Sequence, residues 1–120
     1  MERENRGLAR WPTTLAVVCS FTGQYNNPLC VQVRSLDVGE GGIRLLLPEE
    51  PKGKEMKMRI YLPYGRKPIF ASGEVVWTRE KETEEGKFFE TGIRFTKIEP
   101  TDKQKILFFV YNISGLEEPD

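Results

Sequence analysis

Arg6 and Arg10 stand four positions apart in the segment Arg6-Gly7-Leu8-Ala9-Arg10, and 27 positions beyond Arg10 begins Asp37-Val38-Gly39-Glu40-Gly41-Gly42. Two guanidinium groups at that spacing can present two planar, permanently charged forks to one anion. An aspartate beside a run of glycines can accept hydrogen bonds from a base edge, and the missing Cβ atoms let a ligand approach the backbone. One group reads phosphate and the other reads a purine. Together they suit a nucleotide that is anionic and carries guanine.

Such groups need a scaffold, and the pattern of apolar residues supplies strands. Residues 1–12 read as a charged, flexible arm in which Gly7 and Pro12 work against regular structure. Leu15, Val17 and Cys19 then alternate with Thr14, Ala16 and Val18. Gly23 to Pro28 is a turn rich in residues that tolerate unusual backbone angles. Leu29, Val31 and Val33 form one face of the next strand, and Asp37 to Gly42 reads as the connection that follows it. Ile43, Leu45 and Leu47 alternate up to Pro48. Met56, Met58, Ile60 and Leu62 face one way, and Pro63-Tyr64-Gly65 turns the chain. Ile69 to Thr78 is a long strand with Gly73 at a bend. Arg79 to Lys87 reads as a charged hairpin loop, and Phe89, Thr91, Ile93 and Phe95 are the apolar face of the last strand.

One helix is expected at the end. Thr101 or Asp102 caps it, Ile106, Phe109, Val110 and Ile113 share a face, and Ser114-Gly115 ends it. Residues 115–120 form an acidic tail. Residues 13–114 are therefore one domain, mainly all-β: a six-stranded antiparallel β-barrel with a C-terminal α-helix. Closure hides the strand edges.

Composition narrows the function. The chain has 120 residues, 38% hydrophobic and 30% charged, which suits one small globular domain. Its 18 basic and 18 acidic side chains cancel. A general nucleic-acid binder needs a basic excess to displace counterions, so no such binding is expected. No apolar stretch approaches the roughly 20 residues of a membrane-spanning helix, and no secretory leader is visible, so a cytoplasmic protein is expected. There is no histidine, and Cys19 and Cys30 are the only cysteines. Two cysteines without histidine do not complete a tetrahedral zinc site. They read as two small buried residues on neighbouring strands, with a redox pair as the alternative. With no paired carboxylates, metal cluster or activated nucleophile, no enzyme is expected.

With these residues in place, the chain resembles the PilZ domain family. That family carries Arg-x-x-x-Arg in an N-terminal arm and then Asp or Asn-x-Ser-x-x-Gly after the second strand. Arg6 and Arg10 match the first motif, and Asp37 and Gly42 match the ends of the second. Gly73-Glu74-Val75-Val76-Trp77 and Thr91-Gly92-Ile93-Arg94-Phe95 are similar to later parts of the family pattern. The resemblance runs over residues 6 to 113. It implies a PilZ-like barrel that binds cyclic di-GMP, with no cofactor. The arm would wrap over the ligand, with Arg6 and Arg10 on its phosphates and guanine faces. Asp37 would accept from a guanine N–H edge, and Gly42 would keep the turn tight and open. Arg94, facing outward, would stack on a guanine or pair with Glu90.

The sequence departs from the pattern at Gly39, where the family has serine. The backbone N–H remains and the hydroxyl is gone, a loss of about 0.5–1.5 kcal/mol for one ordinary hydrogen bond. The implied function is a cyclic di-GMP receptor or adaptor whose arm orders on the nucleotide and changes the surface offered to an effector protein. The alternative is a divergent interaction module of the same fold that binds the nucleotide weakly or not at all. Such a module would dock through an apolar patch on the helix around Leu107 and Phe108.

Overall fold

In the computed structural model residues 10–12, 14–63 and 65–117 are described, with side chains over 14–63 and 65–112. Alternation with a period of two gives each strand one apolar face, and that face can be buried only if the sheet curls over it. Six strands do this: β2 (Ala16–Thr22), β3 (Pro28–Gly39), β4 (Gly42–Leu47), β5 (Glu55–Tyr61), β6 (Ile69–Thr83) and β7 (Gly86–Ile98). They run antiparallel in the order β3-β2-β5-β6-β7-β4, and β4 pairs back onto β3 to close the barrel. A short seventh strand, β1 (Arg10–Pro12), adds to the outer edge of β3. The irregular backbone expected up to Pro12 thus gives way to a strand over its last three residues. Proline is tolerated there because β1 pairs with β3 alone.

The barrel interior holds the residues whose alternation announced it. Val17, Cys19, Ile43, Leu45, Leu47, Met56, Ile60 and Ile93 are fully buried. Ser35 fixes one end of the barrel: its hydroxyl accepts the Leu15 N–H at 2.8 Å, and its own N–H reaches the Leu15 carbonyl at 3.0 Å. The turn at Gly23–Asn27 has the expected chemistry, with Asn26 at φ 62°. Cys19 is buried and Cys30 exposed, so only one of the two is a core residue. Both are free, and burial, with a smaller contribution from Cys30, pushes the Cys19 thiol up to about 12.

Three register slips reshape the regular pattern. One lies between Ser35 and Asp37 on the β3–β4 ladder. Two lie on the β6–β7 ladder, at Ser72/Gly73 and at Val75/Trp77. A one-residue slip moves every later side chain to the opposite face. Val33 and Ser35 face inward before the first slip, and Val38 faces inward after it.

The charged segment Arg79–Lys87 is not a loop. The β6–β7 ladder continues through it, with Thr83 opposite Gly86 and Gly86 at φ +125° in the tight turn. The two strands leave the barrel as a twisted ribbon, because alternating exposed charges suit a two-stranded ladder with water on both faces.

Helix α1 (Pro100–Glu117) follows β7 and passes the expected stop at Ser114-Gly115. Its first bond runs from the Lys103 N–H to the Glu99 carbonyl at 2.9 Å. Glu99 is therefore the cap residue and Pro100 the first helical position, where a missing N–H costs nothing. Thr101 and Asp102 lie inside the first turn. Ile106, Phe109 and Val110 are buried, as their spacing requires. The Ile113 side chain lies outside the described residues.

Candidate functional site

The residues singled out by chemistry converge on one outer face of the barrel, where β1, β3, β4, β7 and β6 lie side by side. Antiparallel register decides which residues share a row. Arg10 lies opposite Gly39, and Gly42 lies opposite Arg94, which lies opposite Glu74. In the adjoining row Pro12 lies opposite Asp37, Asp37 opposite Arg44, Arg44 opposite Gly92, and Gly92 opposite Trp77. A third row pairs Leu46 with Glu90 and Glu90 with Arg79. Four of the six expected ligand residues thus fall at one level across β1, β3, β4 and β7. Asp37 falls at the next level. Arg6 and the side chain of Arg10 lie outside the described residues.

Asp37 is not in the turn. It sits on β3, and the turn is the shorter Glu40-Gly41 link between β3 and β4. The slip after Ser35 puts Asp37 on the outer face, directly across from Arg44. The Arg44 guanidinium donates from Nε to Asp37 Oδ2 at 2.9 Å, and its Nη2 stands 2.9 Å from the same oxygen. Its Nη1 donates to Glu90 Oε2. On the other side of Glu90, Arg79 Nε donates to Oε1 at 3.1 Å. One continuous chain of charges therefore crosses three ladders: Asp37, Arg44, Glu90, Arg79. Arg79 also lies over the Trp77 indole, 5.7 Å from the ring centroid.

Glu90 is the centre of that chain and only 1% exposed. Burial by itself raises its pKa by penalising the anion. The hydrogen bond from Arg79 and the charges of Arg44, Arg79 and Lys81 outweigh this and hold the carboxyl below its ordinary range. A buried carboxylate between two arginines fixes both guanidinium planes. Arg44 then fixes Asp37 in turn.

Two glycines on this face are required by packing. A Cβ on Gly42 would stand 2.2 Å from the Ile93 carbonyl oxygen, so only glycine lets β4 approach β7 there. A Cβ on Gly92 would stand 2.4 Å from Trp77 Nε1. The indole therefore lies flat across Gly92 on the outside of the barrel. Trp77, 38% exposed, is not a core residue. Its close seat on that face comes from a neighbour without a side chain.

Arg94 points outward, as expected, with 59% of its side chain exposed. Its partner is Glu74, not Glu90. Arg44 and Glu90 went unassigned in the sequence, Glu90 being considered only as a partner for Arg94. No local signal pointed to them: Arg44 between Ile43 and Leu45, and Glu90 between Phe89 and Thr91, take the off-face positions of regular apolar alternations, where a charge reads as solvated.

No group of three or more potential metal ligands occurs among the described residues. No helix among them is long and apolar enough to cross a membrane. A cleft of about 680 Å³ lies elsewhere, between α1 and the segment 62–69, and none of the motif residues lines it.

Solved structures share this architecture. The Bacillus subtilis inhibitor of motility MotI/DgrA superposes with a TM-score of 0.75 at 16% identity, over 98% of this chain and 55% of that one. The PilZ domain of Escherichia coli YcgR, solved with c-di-GMP, gives 0.60 at 18% identity, over 95% and 97%. The K. pneumonia MrkH–c-di-GMP complex gives 0.66 at 11% identity, over 98% and 57%. The chain thus spans little more than half of MotI and MrkH and nearly all of the YcgR PilZ domain. No curated protein sequence matches significantly. The family model described as PilZ domain matches residues 3–112, and so, by its sequence as by its barrel, the chain belongs to the PilZ domain family.

Proposed function

We propose that this chain is a receptor for cyclic di-GMP that works without catalysis. The observation that carries the reading is the register of β1. It sets Arg10, the last residue of Arg-x-x-x-Arg, against Gly39 inside the second motif. Membership in the PilZ domain family and the c-di-GMP held by the YcgR and MrkH relatives support the choice of ligand. In this reading Arg6 and Arg10 engage the phosphates and guanine faces of the nucleotide. Asp37 accepts from a guanine N–H edge, with its carboxylate held in place by Arg44. Arg94 exchanges its exposed partner Glu74 for the ligand, a low-cost exchange because surface ion pairs contribute little. The arm preceding β1 orders on the nucleotide, and the altered surface is what an effector protein reads.

Isothermal calorimetry with cyclic di-GMP on the wild type and on Arg10→Ala tests this. The expected outcome is measurable binding by the wild type and a loss of roughly tenfold or more in the variant, since charge-assisted forks exceed ordinary hydrogen bonds. Equal heats would remove Arg10 from the site.

Gly39 favours a second reading, a divergent module of the same fold that has lost most of its nucleotide affinity and acts by protein contact. Gly39→Ser separates the two. A serine that restores a single hydrogen bond gains roughly two- to tenfold. A much larger gain, from no detectable binding to clear saturation, identifies a decayed site.

A further inference from the structure

The cleft on the far side of the helix has a composition that the nucleotide reading leaves unused. It encloses about 680 Å³ between α1 and the connection from β5 to β6. Leu62, Ile69 and Phe109 line its apolar floor, and Phe108, 68% exposed, stands at its mouth. Arg66 and Lys67 rise on one wall and Lys105 on the other. No carboxylate lines it. In a chain whose charges cancel, three cations around one opening without an anion is a local excess. Lys105 has a neighbour in Asp102 at 3.5 Å, on the helix surface outside the cleft. Arg66 and Lys67 make no ion pair among the described residues.

We infer that this cleft is a docking site for an acidic peptide segment that carries one bulky apolar side chain. The apolar floor takes the side chain, and burial there is worth about 1.5–3 kcal/mol for a residue the size of leucine or phenylalanine. The cations stand on both walls, so carboxylates on either side of the anchor meet a partner. An extended peptide crossing the opening satisfies this arrangement, because successive side chains point alternately into the cleft and out to its rims. Charge complementarity sets the sign of the partner and speeds its encounter, while the aromatic at the mouth and the apolar floor supply the anchor. The site stands apart from the nucleotide face and does not depend on it.

A phage-displayed random dodecapeptide library, panned on the whole chain and in parallel on the Arg66→Glu/Lys67→Glu variant, tests the proposal. Both positions are exposed, and matching thermal midpoints of the two proteins confirm that the variant is folded. The expected result is enrichment on the wild type of peptides with aspartate or glutamate flanking an aromatic or branched aliphatic residue. Synthetic copies of these, read by fluorescence polarisation, should bind the double variant and Phe108→Ser about tenfold or more weakly. An absence of acidic consensus overturns the proposal, as does equal binding to the variants. Recruitment to phosphatidylglycerol vesicles that depends on Arg66 and Lys67, with no peptide enriched, also overturns it in favour of a lipid surface.

Discussion

Glu90 is the residue on which the outer face turns. It is buried, it is ionised, and it holds Arg44 and Arg79 at once. Glu90→Gln keeps the shape and removes the charge, leaving two guanidinium groups without their shared anion. The expected cost at pH 7 is about 1–3 kcal/mol, measured by urea denaturation. The pH dependence follows from the direction of the shift. The folded carboxyl lies below its ordinary 4.5, so folding favours the ionised form. That stabilisation is present above pH 4.5 and is lost as pH falls through the folded value. The wild type and Glu90→Gln should therefore differ most near neutrality and converge in acid. A gap that stays constant down to pH 3 (roughly the bottom of the carboxylate range) would show that the charge of Glu90 is not what matters. At the same scale, Asp37 illustrates what was not legible. Aspartate followed by glycines reads as a turn former, and local chemistry allows nothing else. Its position on a strand, across from Arg44, comes from a register slip two residues before it.

Strand β6 and strand β7 (the longest pair in the sheet) show how a glycine becomes part of an aromatic surface. Gly92 has no side chain, so the Trp77 indole can lie across it on the outside of the barrel with Arg79 over the ring. Gly92→Ala puts a methyl carbon 2.4 Å from Nε1 and 2.5 Å from Cε2, so the indole must swing away. In a Trp11→Phe background, Trp77 fluorescence should shift to the red, with a loss of about 1–3 kcal/mol in stability from the forced repacking. Unchanged emission would mean that the indole does not rest on Gly92. The helix teaches a related point. Its buried face of Ile106, Phe109 and Val110 was readable from spacing, but its start was not. Proline at the first helical position makes the preceding residue the cap, and Glu99 is an unusual one beside the Thr101 and Asp102 that composition favours.

At the scale of the whole molecule, the described residues span 49 × 30 × 26 Å, longer in one direction than a closed barrel of this size needs. The ribbon of β6 and β7 extends beyond the barrel wall, with Glu80, Lys81, Glu82 and Lys87 exposed. Those residues contribute little to the core. Replacing Lys81–Phe88 by a two-residue Asn-Gly turn keeps Arg79, Phe89 and Glu90 and should change stability by less than about 1 kcal/mol. The hydrodynamic radius should fall, and cyclic di-GMP binding should be unaffected, because the replaced residues lie beyond the register rows of the site. A collapse of the thermal midpoint would show that the ribbon is part of the folding unit.

The sequence by itself determined the barrel, because six alternating apolar faces of suitable length have one economical way to be buried together. It also determined both short motifs and the apolar face of the helix, since these are local patterns. The tertiary structure alone decided which charges meet. Asp37, Arg44, Arg79 and Glu90 come from four strands, and the slips after Ser35 and after Val75 set which of them share a face. Each slip reverses every inward and outward assignment beyond it. No local pattern in the chain records where a partner strand loses or gains one residue, so the pairing became visible only when the sheet had closed.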